Sequence, residues 1–280
     1  FDSTIVRRRI SNTMFLYARQ QHLEKIIVEQ FQETEKNNKL MISILAHIVE
    51  FRNGESGLHI LHVITITKYL LKQLIQLTDQ YLLSKADIFL ISTASALHDI
   101  GKISISDSIL NKPGRLTAEE FEVIKTHSIV GANILLDLPI EQQEAPLVKM
   151  AAEICRWHHE RYDGNGYPDG LKGEEIPIAA QVVALADVYD ALTSERCYKK
   201  AYSHDDALKM ILEGQCGAFN PTLLSCLQEI ADTLEGELMD TPHEQEIKNN
   251  QYIRNKIDYD RLFPYEKDTF LSSKQRDRKS

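Results

Sequence analysis

The sequence His98-Asp99-Ile100-Gly101-Lys102 closes an apolar stretch and passes directly into a glycine-containing turn. A second stretch has the same character and reads His158-His159-Glu160-Arg161-Tyr162-Asp163-Gly164-Asn165-Gly166-Tyr167-Pro168. Each stretch places imidazoles at the end of a predicted helix, and the first adds a carboxylate. Imidazole and carboxylate groups together suit iron, manganese or zinc, whereas a calcium site would use oxygen ligands only. The two stretches therefore predict a metal centre.

The composition is that of an ordinary globular protein. Of 280 residues, 43% are hydrophobic and 26% are charged, which allows one large core or two modest domains. The net charge of -9 argues against a nucleic-acid-binding surface, because neutralising phosphates requires a basic face. No apolar run approaches the ~20 residues of a membrane span, no secretory signal leads the chain, and no Cys-x-x-Cys pair occurs. We expect a cytoplasmic protein with free thiols that binds neither membrane nor nucleic acid.

Apolar residues recur every three to four positions along most of the chain, and no segment alternates for long as a strand would. The sequence therefore predicts an all-α fold. Capping-box sequences begin two of the helices, at Ser84–Asp87 and Thr117–Glu120, and the first of these helices is predicted to end at His98. Further helices are predicted over 58–77, 146–159 and 178–192.

Three parts follow from composition and periodicity. Residues 1–39 are predicted to form a helical linker, and a homodimer through these helices is expected although the heptads are broken. Residues 40–236 form the main predicted domain. Residues 237–280 have mixed charge and weak periodicity, which indicates a linker or the start of a further module. Because the chain starts at Phe1 rather than at a methionine, we expect a longer natural protein.

Several candidate site residues have an ordinary alternative explanation. Glu55 and His59 are four residues apart and share one side only if the helix already includes Glu55; otherwise they are a surface pair. His127 lies on a mostly polar turn and alone would be a surface histidine. Asp187 interrupts an apolar helix, so it either binds metal or joins a buried hydrogen-bond network. The basic residues near Arg196 either hold phosphate or form a solvated run.

Together these motifs resemble the HD-GYP family of cyclic-dinucleotide phosphodiesterases, a branch of the HD phosphohydrolase superfamily. The resemblance covers roughly residues 40–235 and implies an HD-domain helical bundle, which makes 40–236 the catalytic domain. Beyond the two opening stretches, it rests on Glu55-Ser56-Gly57-Leu58-His59, Asn111-Lys112-Pro113-Gly114-Arg115-Leu116-Thr117, His127 with Gly131, and Ala186-Asp187-Val188-Tyr189-Asp190-Ala191-Leu192-Thr193.

The resemblance also implies a role for individual residues. The metals would be held by His98, Asp99, His127, His158, His159 and Asp187, and a subgroup with three metals adds residues that match Glu55 and His59. Lys102 matches the family's lysine, Arg196 a phosphate-contacting arginine, and Gly166, Tyr167 and Pro168 would shape the substrate edge. The implied cofactors are two or three divalent ions, iron or manganese.

Two positions depart from the family pattern. His62 stands where the family commonly has arginine, and we expect it to support the site rather than to be a ninth ligand. Cys197 stands where proline is frequent, which affects the local turn but no ligand. Residues 1–36 are similar to the end of a receiver domain and its output linker. That similarity implies a response regulator whose receiver domain precedes this chain.

The expected reaction is hydrolysis of cyclic di-GMP to linear pGpG, to GMP, or to both. Two metals bridged by Asp99 would hold a hydroxide that attacks phosphorus, while Lys102 and Arg196 would stabilise charge on the non-bridging oxygens. Three alternatives stay open. They are 3′3′-cyclic GMP-AMP as the substrate, a general HD nucleotidase, and a non-enzymatic module that responds to cyclic dinucleotides.

Overall fold

The computed structural model describes residues 8, 12–17, 19–23, 25–26, 41–42, 44–46, 48–49, 52, 58–194 and 200–239. Within these residues every regular element is a helix and none is a strand, which confirms the predicted all-α fold. The chain divides into two compact units, Phe1–Leu234 and Glu235–Ser280, and the second is described only as far as Met239. The predicted linker 1–39 and the predicted module 237–280 lie mostly outside the described residues and stay predictions.

From Leu58 onward the described residues form nine α-helices. They are α1 (Leu58–Leu77), α2 (Lys85–Ala94), α3 (Asp107–Leu110), α4 (Ala118–Leu136), α5 (Ile140–Gln143), α6 (Pro146–Trp157), α7 (Ile178–Thr193), α8 (His204–Leu212) and α9 (Pro221–Met239). Short 3-10 helices cover Ser95–Leu97, Ile100–Ser104 and Gly173–Glu175. None of the helices in this part of the chain combines the length and the apolar character needed to cross a membrane.

Helix α7 lies at the centre of the bundle because its sequence is apolar nearly all round. Val182, Val183 and Leu185 are fully buried, and the helix packs against α1, α6 and α8. Helix α6 in turn packs against α2 and α4. The helices that carry the predicted metal ligands therefore contact one another directly through the core.

Two helices begin at the capping boxes that the sequence predicts. The Ser84 hydroxyl accepts from the backbone N–H of Asp87, whose carboxylate accepts from the backbone N–H of Ser84. Thr117 and Glu120 repeat this exchange at the start of α4. Each box satisfies two N–H groups that a helix otherwise leaves without a partner, so the starts of α2 and α4 are defined by local sequence.

The α-helix that begins at the first capping box ends earlier than predicted. It stops at Ala94, tightens into the 3-10 helix Ser95–Leu97, and leaves His98 and Asp99 in a turn. The next residues must approach α4 closely, since a Cβ on Gly101 would lie only 1.9 Å from the backbone oxygen of His127. Only glycine permits that approach, and the tighter winding redirects the chain toward it. Helix α6 likewise ends at Trp157, two residues before the predicted His159.

Candidate metal centre

The packing of α1, α4, α6 and α7 brings together seven of the eight predicted metal ligands. The nitrogen and oxygen donors fall into two groups, in each of which they lie within 4.8 Å of one another. The first group contains Asp99, His127, His158 and His159, and the second contains His59, His98 and Asp187. The eighth predicted ligand, Glu55, lies outside the described residues, as does Arg196.

Asp99 joins the two groups through its two carboxylate oxygens. Oδ1 faces the first group, at 3.2 Å from Nε2 of His127 and 3.9 Å from Nε2 of His158. Oδ2 faces the second group, at 3.3 Å from Nε2 of His98, and also lies 2.6 Å from Nζ of Lys102. One carboxylate directed at two donor groups is the arrangement needed to bridge two cations.

Asp187 supplies the carboxylate of the second group. Its Oδ1 lies 3.6 Å from Nε2 of His59 and 3.9 Å from Nε2 of His98. His98 is buried, and Asp187 is 17% exposed at its side chain, so the second group opens toward solvent at Asp187. Of the two explanations left open for Asp187, its place in a donor group favours metal ligation.

The histidines are oriented by hydrogen bonds through their outer nitrogens. In three of them Nδ1 faces a backbone carbonyl, which can only accept, so Nδ1 carries the proton and Nε2 presents a lone pair to the centre. The pairs are His98 with Ser95 (2.8 Å), His127 with Ile124 (2.6 Å), and His158 with Ile154 and Cys155 (both 3.0 Å). These local bonds fix the tautomers that metal coordination requires.

Two donor atoms of the centre are left without a partner. Nε2 of His98 and Oδ1 of Asp99 are buried and have no hydrogen-bond partner among the described residues. Leaving a buried polar atom unpaired costs about 1–3 kcal/mol, and more when the group is charged. A divalent cation would satisfy both atoms, so the residues present fit a metal site.

The electrostatics keep His158 and Asp99 in the form that binds metal. Burial lowers the pKa of His158 to about 3, and the neighbouring His98 contributes to the same shift. Burial alone would raise the pKa of Asp99, but Lys102 and His98 outweigh it and hold the pKa well below its ordinary value. His158 is therefore neutral and Asp99 ionised, which gives one nitrogen lone pair and two anionic oxygens to the centre.

Asp190 stands behind the second group, a role that the sequence motifs did not predict. It is fully buried, and its Oδ2 and Oδ1 lie 2.6 Å from Nδ1 of His59 and of His62 respectively. Ser194 donates a further hydrogen bond to Oδ1 at 2.8 Å. The one available signal was its position three residues after Asp187 on an apolar helix, which places both aspartates on one face. Among the described residues, His62 is connected to the second group through Asp190 and belongs to neither donor group.

Asp190→Asn is expected to weaken metal binding by about 10–100-fold, the usual effect of removing a group that orients a ligand. His59 and His62 face different oxygens of Asp190, and in asparagine one of these two positions becomes an NH2 group, which donates and cannot accept. Titration against a competing chelator measures the effect. His62→Gln is the matched control and should change the affinity less, because Asp190 keeps its bond to His59. Equal affinities for the wild type and Asp190→Asn would contradict an orienting role.

The segment after α6 forms a loop that borders the first group. Glu160 is 2% exposed, and its carboxylate accepts hydrogen bonds from three successive backbone N–H groups, those of Asp169 (2.7 Å), Gly170 (3.0 Å) and Leu171 (3.1 Å). Gly166 packs so tightly that a Cβ there would lie 2.3 Å from the backbone nitrogen of Arg161. These contacts fix the loop backbone, a function that the residue types alone did not reveal.

The predicted substrate edge lies on this loop. The Tyr167 ring stacks on the imidazole of His159, with centroids 4.7 Å apart and planes 28° from parallel. Burial raises the pKa of Tyr167, so its hydroxyl stays protonated at neutral pH. Pro168 follows through a cis peptide bond. Tyr167 therefore forms a wall beside one predicted metal ligand, whereas Gly166 serves the backbone packing.

The chain belongs to the HD domain family, which matches residues 23–223, and this confirms the family predicted from the motifs. It is similar to a probable cyclic di-GMP phosphodiesterase of Vibrio cholerae, with 39% identity over 72% of this chain and 46% of that protein. It is 37% identical to a cyclic di-GMP phosphodiesterase response regulator of Xanthomonas campestris, over 73% of this chain and 51% of that protein.

A third relative has a different substrate in its name. This 3′3′-cGAMP-specific phosphodiesterase of Vibrio cholerae is 35% identical, over 69% of this chain and 35% of that protein. The chain thus spans about half or less of the length of these relatives. The part of the chain that matches the HD domain family, residues 23–223, contains both donor groups.

Proposed function

We propose that this chain is a metal-dependent phosphodiesterase that hydrolyses cyclic di-GMP to pGpG, GMP or both. The observation that carries the proposal is the carboxylate of Asp99, whose two oxygens face two separate groups of histidine and carboxylate donors. The names of the relatives support cyclic di-GMP as the substrate. Hydrolysis adds water across one phosphodiester P–O bond and leaves a phosphomonoester and a free hydroxyl.

Different residues of the chain would have different roles in this reaction. The seven donors would hold the divalent ions, which when bound polarise the phosphodiester and lower the pKa of water. Lys102 holds Asp99 in place through their 2.6 Å ion pair and adds a positive charge beside the reacting phosphate. Tyr167 forms the wall of the substrate site beside His159. Arg196 is proposed to contact phosphate, although it lies outside the described residues.

Iron or manganese is the proposed metal. The donors are imidazole nitrogens and carboxylate oxygens without a thiolate, a mixture that suits these ions. Cys155 lies next to the centre, where its thiol donates to the carbonyl of Leu97 at 3.0 Å. Burial raises the pKa of that thiol, so it does not offer a thiolate ligand.

Glu55→Gln tests whether the centre holds three ions or two. If Glu55 joins His59 in a third site, the wild type should hold close to three ions per chain and the variant close to two. If Glu55 only caps the helix that begins at Leu58, the variant keeps the wild-type metal count and loses thermal stability. Elemental analysis of matched preparations, together with an unfolding curve, decides between these outcomes, whereas activity alone does not.

Turnover with and without metal tests the proposed activity. The chain should be stripped with a chelator, reloaded with Fe²⁺ or Mn²⁺, and incubated with cyclic di-GMP while pGpG and GMP are separated by chromatography. We expect product only from reloaded protein. Binding of cyclic di-GMP without turnover in the reloaded protein would instead support the non-enzymatic module. Turnover of nucleoside phosphates alone would support a general nucleotidase.

A second candidate substrate is 3′3′-cyclic GMP-AMP, because one relative is named for it. The two cyclic dinucleotides share the ribose-phosphate ring and differ in one base. The ratio of kcat/KM values for the two substrates, measured on one preparation, ranks them.

We propose a homodimer through the N-terminal helices, in a response regulator that carries a receiver domain before this chain. Large apolar side chains are exposed on the described residues of this region, namely Met14, Phe15, Leu16, Tyr17, Leu23 and Ile26. One relative is named as a response regulator. Light scattering should give twice the chain mass for residues 1–280 and a lower mass for a chain that starts near Asn37. Equal monomeric masses would contradict the dimer.

A further inference from the structure

Arg161 is held in a fixed position beside the metal centre. Its Nη1 donates to the backbone oxygen of Glu160 at 3.0 Å and lies 3.5 Å from the backbone oxygen of His158. The guanidinium lies over the ring of Phe219, 5.4 Å from its centroid. These contacts come from the backbone of a metal ligand on one side and from the segment before α9 on the other.

Gly217 completes the enclosure of this side chain. A Cβ at Gly217 would lie 2.7 Å from both Cδ and Nε of Arg161, so only a glycine lets the backbone pass this close. The segment is fastened by a hydrogen bond from the backbone N–H of Tyr162 to the oxygen of Ala218, at 2.9 Å. The arginine is therefore confined between a backbone and a ring before any ligand arrives.

The guanidinium of Arg161 forms no salt bridge in the described part of the chain, and the carboxylates of Asp187 and Asp163 act on it only from a longer distance. No acidic side chain there forms an ion pair with it, and its Nε and Nη2 have no hydrogen-bond partner there. Arg156, five residues earlier, forms the ion pair that is usual for an arginine: its guanidinium donates to both carboxylate oxygens of Asp169, at 2.7 and 2.9 Å. A fixed guanidinium with unused N–H groups is suited to an anionic ligand.

The guanidinium lies close to the centre, since its Nη1 is 3.5 Å from the backbone oxygen of His158. Burial lowers the pKa of Arg161, and the largest opposing influence is the carboxylate of Asp187, a member of the second donor group. In the other direction, the charge of Arg161 contributes to lowering the pKa of His159. The guanidinium therefore acts electrostatically on residues of both donor groups.

We infer that Arg161 is a substrate-binding residue whose free N–H groups bind a non-bridging phosphate oxygen of the cyclic dinucleotide. The inference rests on the proposed function and adds a residue that the motifs did not assign to substrate. A cyclic dinucleotide carries two phosphates, so a centre that holds one of them benefits from a second cation. A purely structural role would use the same carbonyl and ring contacts but would leave the N–H groups of Nη2 without a function.

Arg161→Gln and Arg161→Lys separate the two roles. Lysine keeps the charge but loses the planar fork, whereas glutamine loses the charge. Lys149→Gln is the matched control, because it removes one exposed positive charge from α6 at a residue paired only with Glu144. Each protein should be prepared as the metal-loaded full chain, with its metal content and unfolding midpoint measured first.

Two readouts then test the inference. Steady-state kinetics give KM for cyclic di-GMP and the inhibition constant of inorganic phosphate. Calorimetry gives the affinity for a phosphorothioate analogue of cyclic di-GMP, independently of turnover. We expect Arg161→Gln to raise KM and to weaken analogue binding by about 10–100-fold, the usual range for a charge-assisted hydrogen bond. Arg161→Lys should lose less, phosphate inhibition should weaken in the same order, and Lys149→Gln should match the wild type.

Each other outcome has a distinct meaning. Wild-type KM and analogue affinity in Arg161→Gln would overturn the inference, as would a raised KM with unchanged phosphate inhibition. Loss of metal or of thermal stability in parallel with activity, without recovery in Arg161→Lys, would make Arg161 structural and also overturn it. Analogue binding that depends on Arg161 in a wild type without turnover would support the inference while the proposed activity fails. A wild type that neither binds nor turns over would overturn both.

Discussion

Asp99→Ala is expected to abolish phosphodiesterase activity and to release metal while the helical content stays close to that of the wild type. The carboxylate faces both donor groups, so its loss removes one ligand from each of them. Removing groups that only orient a ligand costs about 10–100-fold, and the loss of a shared ligand should exceed that. Turnover assays, elemental analysis and far-UV circular dichroism on the same preparation measure the three quantities.

Lys102→Ala is the matched comparison for Asp99→Ala. It removes the partner of the same carboxylate, at 2.6 Å, but no metal-binding atom. Turnover should fall while most of the metal stays bound, because a cation beside the phosphate acts on the substrate and the transition state. Full activity in a metal-replete Asp99→Ala protein would end the bridged-centre interpretation. Metal loss in proportion to activity in Lys102→Ala would make Lys102 a structural residue.

Gly101→Ala is expected to have the largest effect on folding. The added Cβ would lie 1.9 Å from the backbone oxygen of His127 and 2.5 Å from the backbone nitrogen of Gly131, so the turn and α4 must separate. Overpacking against a backbone costs about 1–3 kcal/mol of unfolding free energy, and occasionally more. The shift would also move His127 away from Asp99. Denaturant unfolding and metal analysis measure both effects.

Gly236→Ala is the control for that substitution. Nothing lies within 4 Å of a Cβ at this position in α9, and alanine is the better helix former. Gly236→Ala should therefore raise the free energy of unfolding by about 0.5–1 kcal/mol, whereas Gly101→Ala should lower it. If Gly101→Ala had the same free energy of unfolding as the wild type, the turn would be able to move without a cost in stability.

The features predicted correctly from the sequence are those that depend on local signals. The capping residues Ser84 and Thr117 begin their helices as predicted, and α1 covers the predicted range Leu58–Leu77. His98, Asp99, His158 and His159 stand in two short motifs that the sequence itself singled out, whereas the roles predicted for His59 and Asp187 came from the resemblance to the family. His127 is the instructive case, because its turn is polar and only the family pattern distinguished it from a surface histidine.

The features that were missed depend on contacts between distant segments. Asp190 binds a histidine 131 residues away in the chain, and that contact follows from how α1 packs on α7. Helix α2 ends early because Gly101 approaches the α4 backbone. No residue near Ala94 indicates that approach in the sequence. Periodicity describes which face of a helix is buried, but not which polar group on another helix that face will meet.

The carboxylate of Glu160 has a further consequence for how the loop recognises a ligand. Three consecutive amides that could have formed an anion-binding nest are already occupied by an internal anion. The loop conformation is therefore established during folding and does not depend on the binding of phosphate. Ligand recognition therefore depends on side chains. Because the loop backbone is already ordered before binding, the affinity is not reduced by the entropic cost of ordering it.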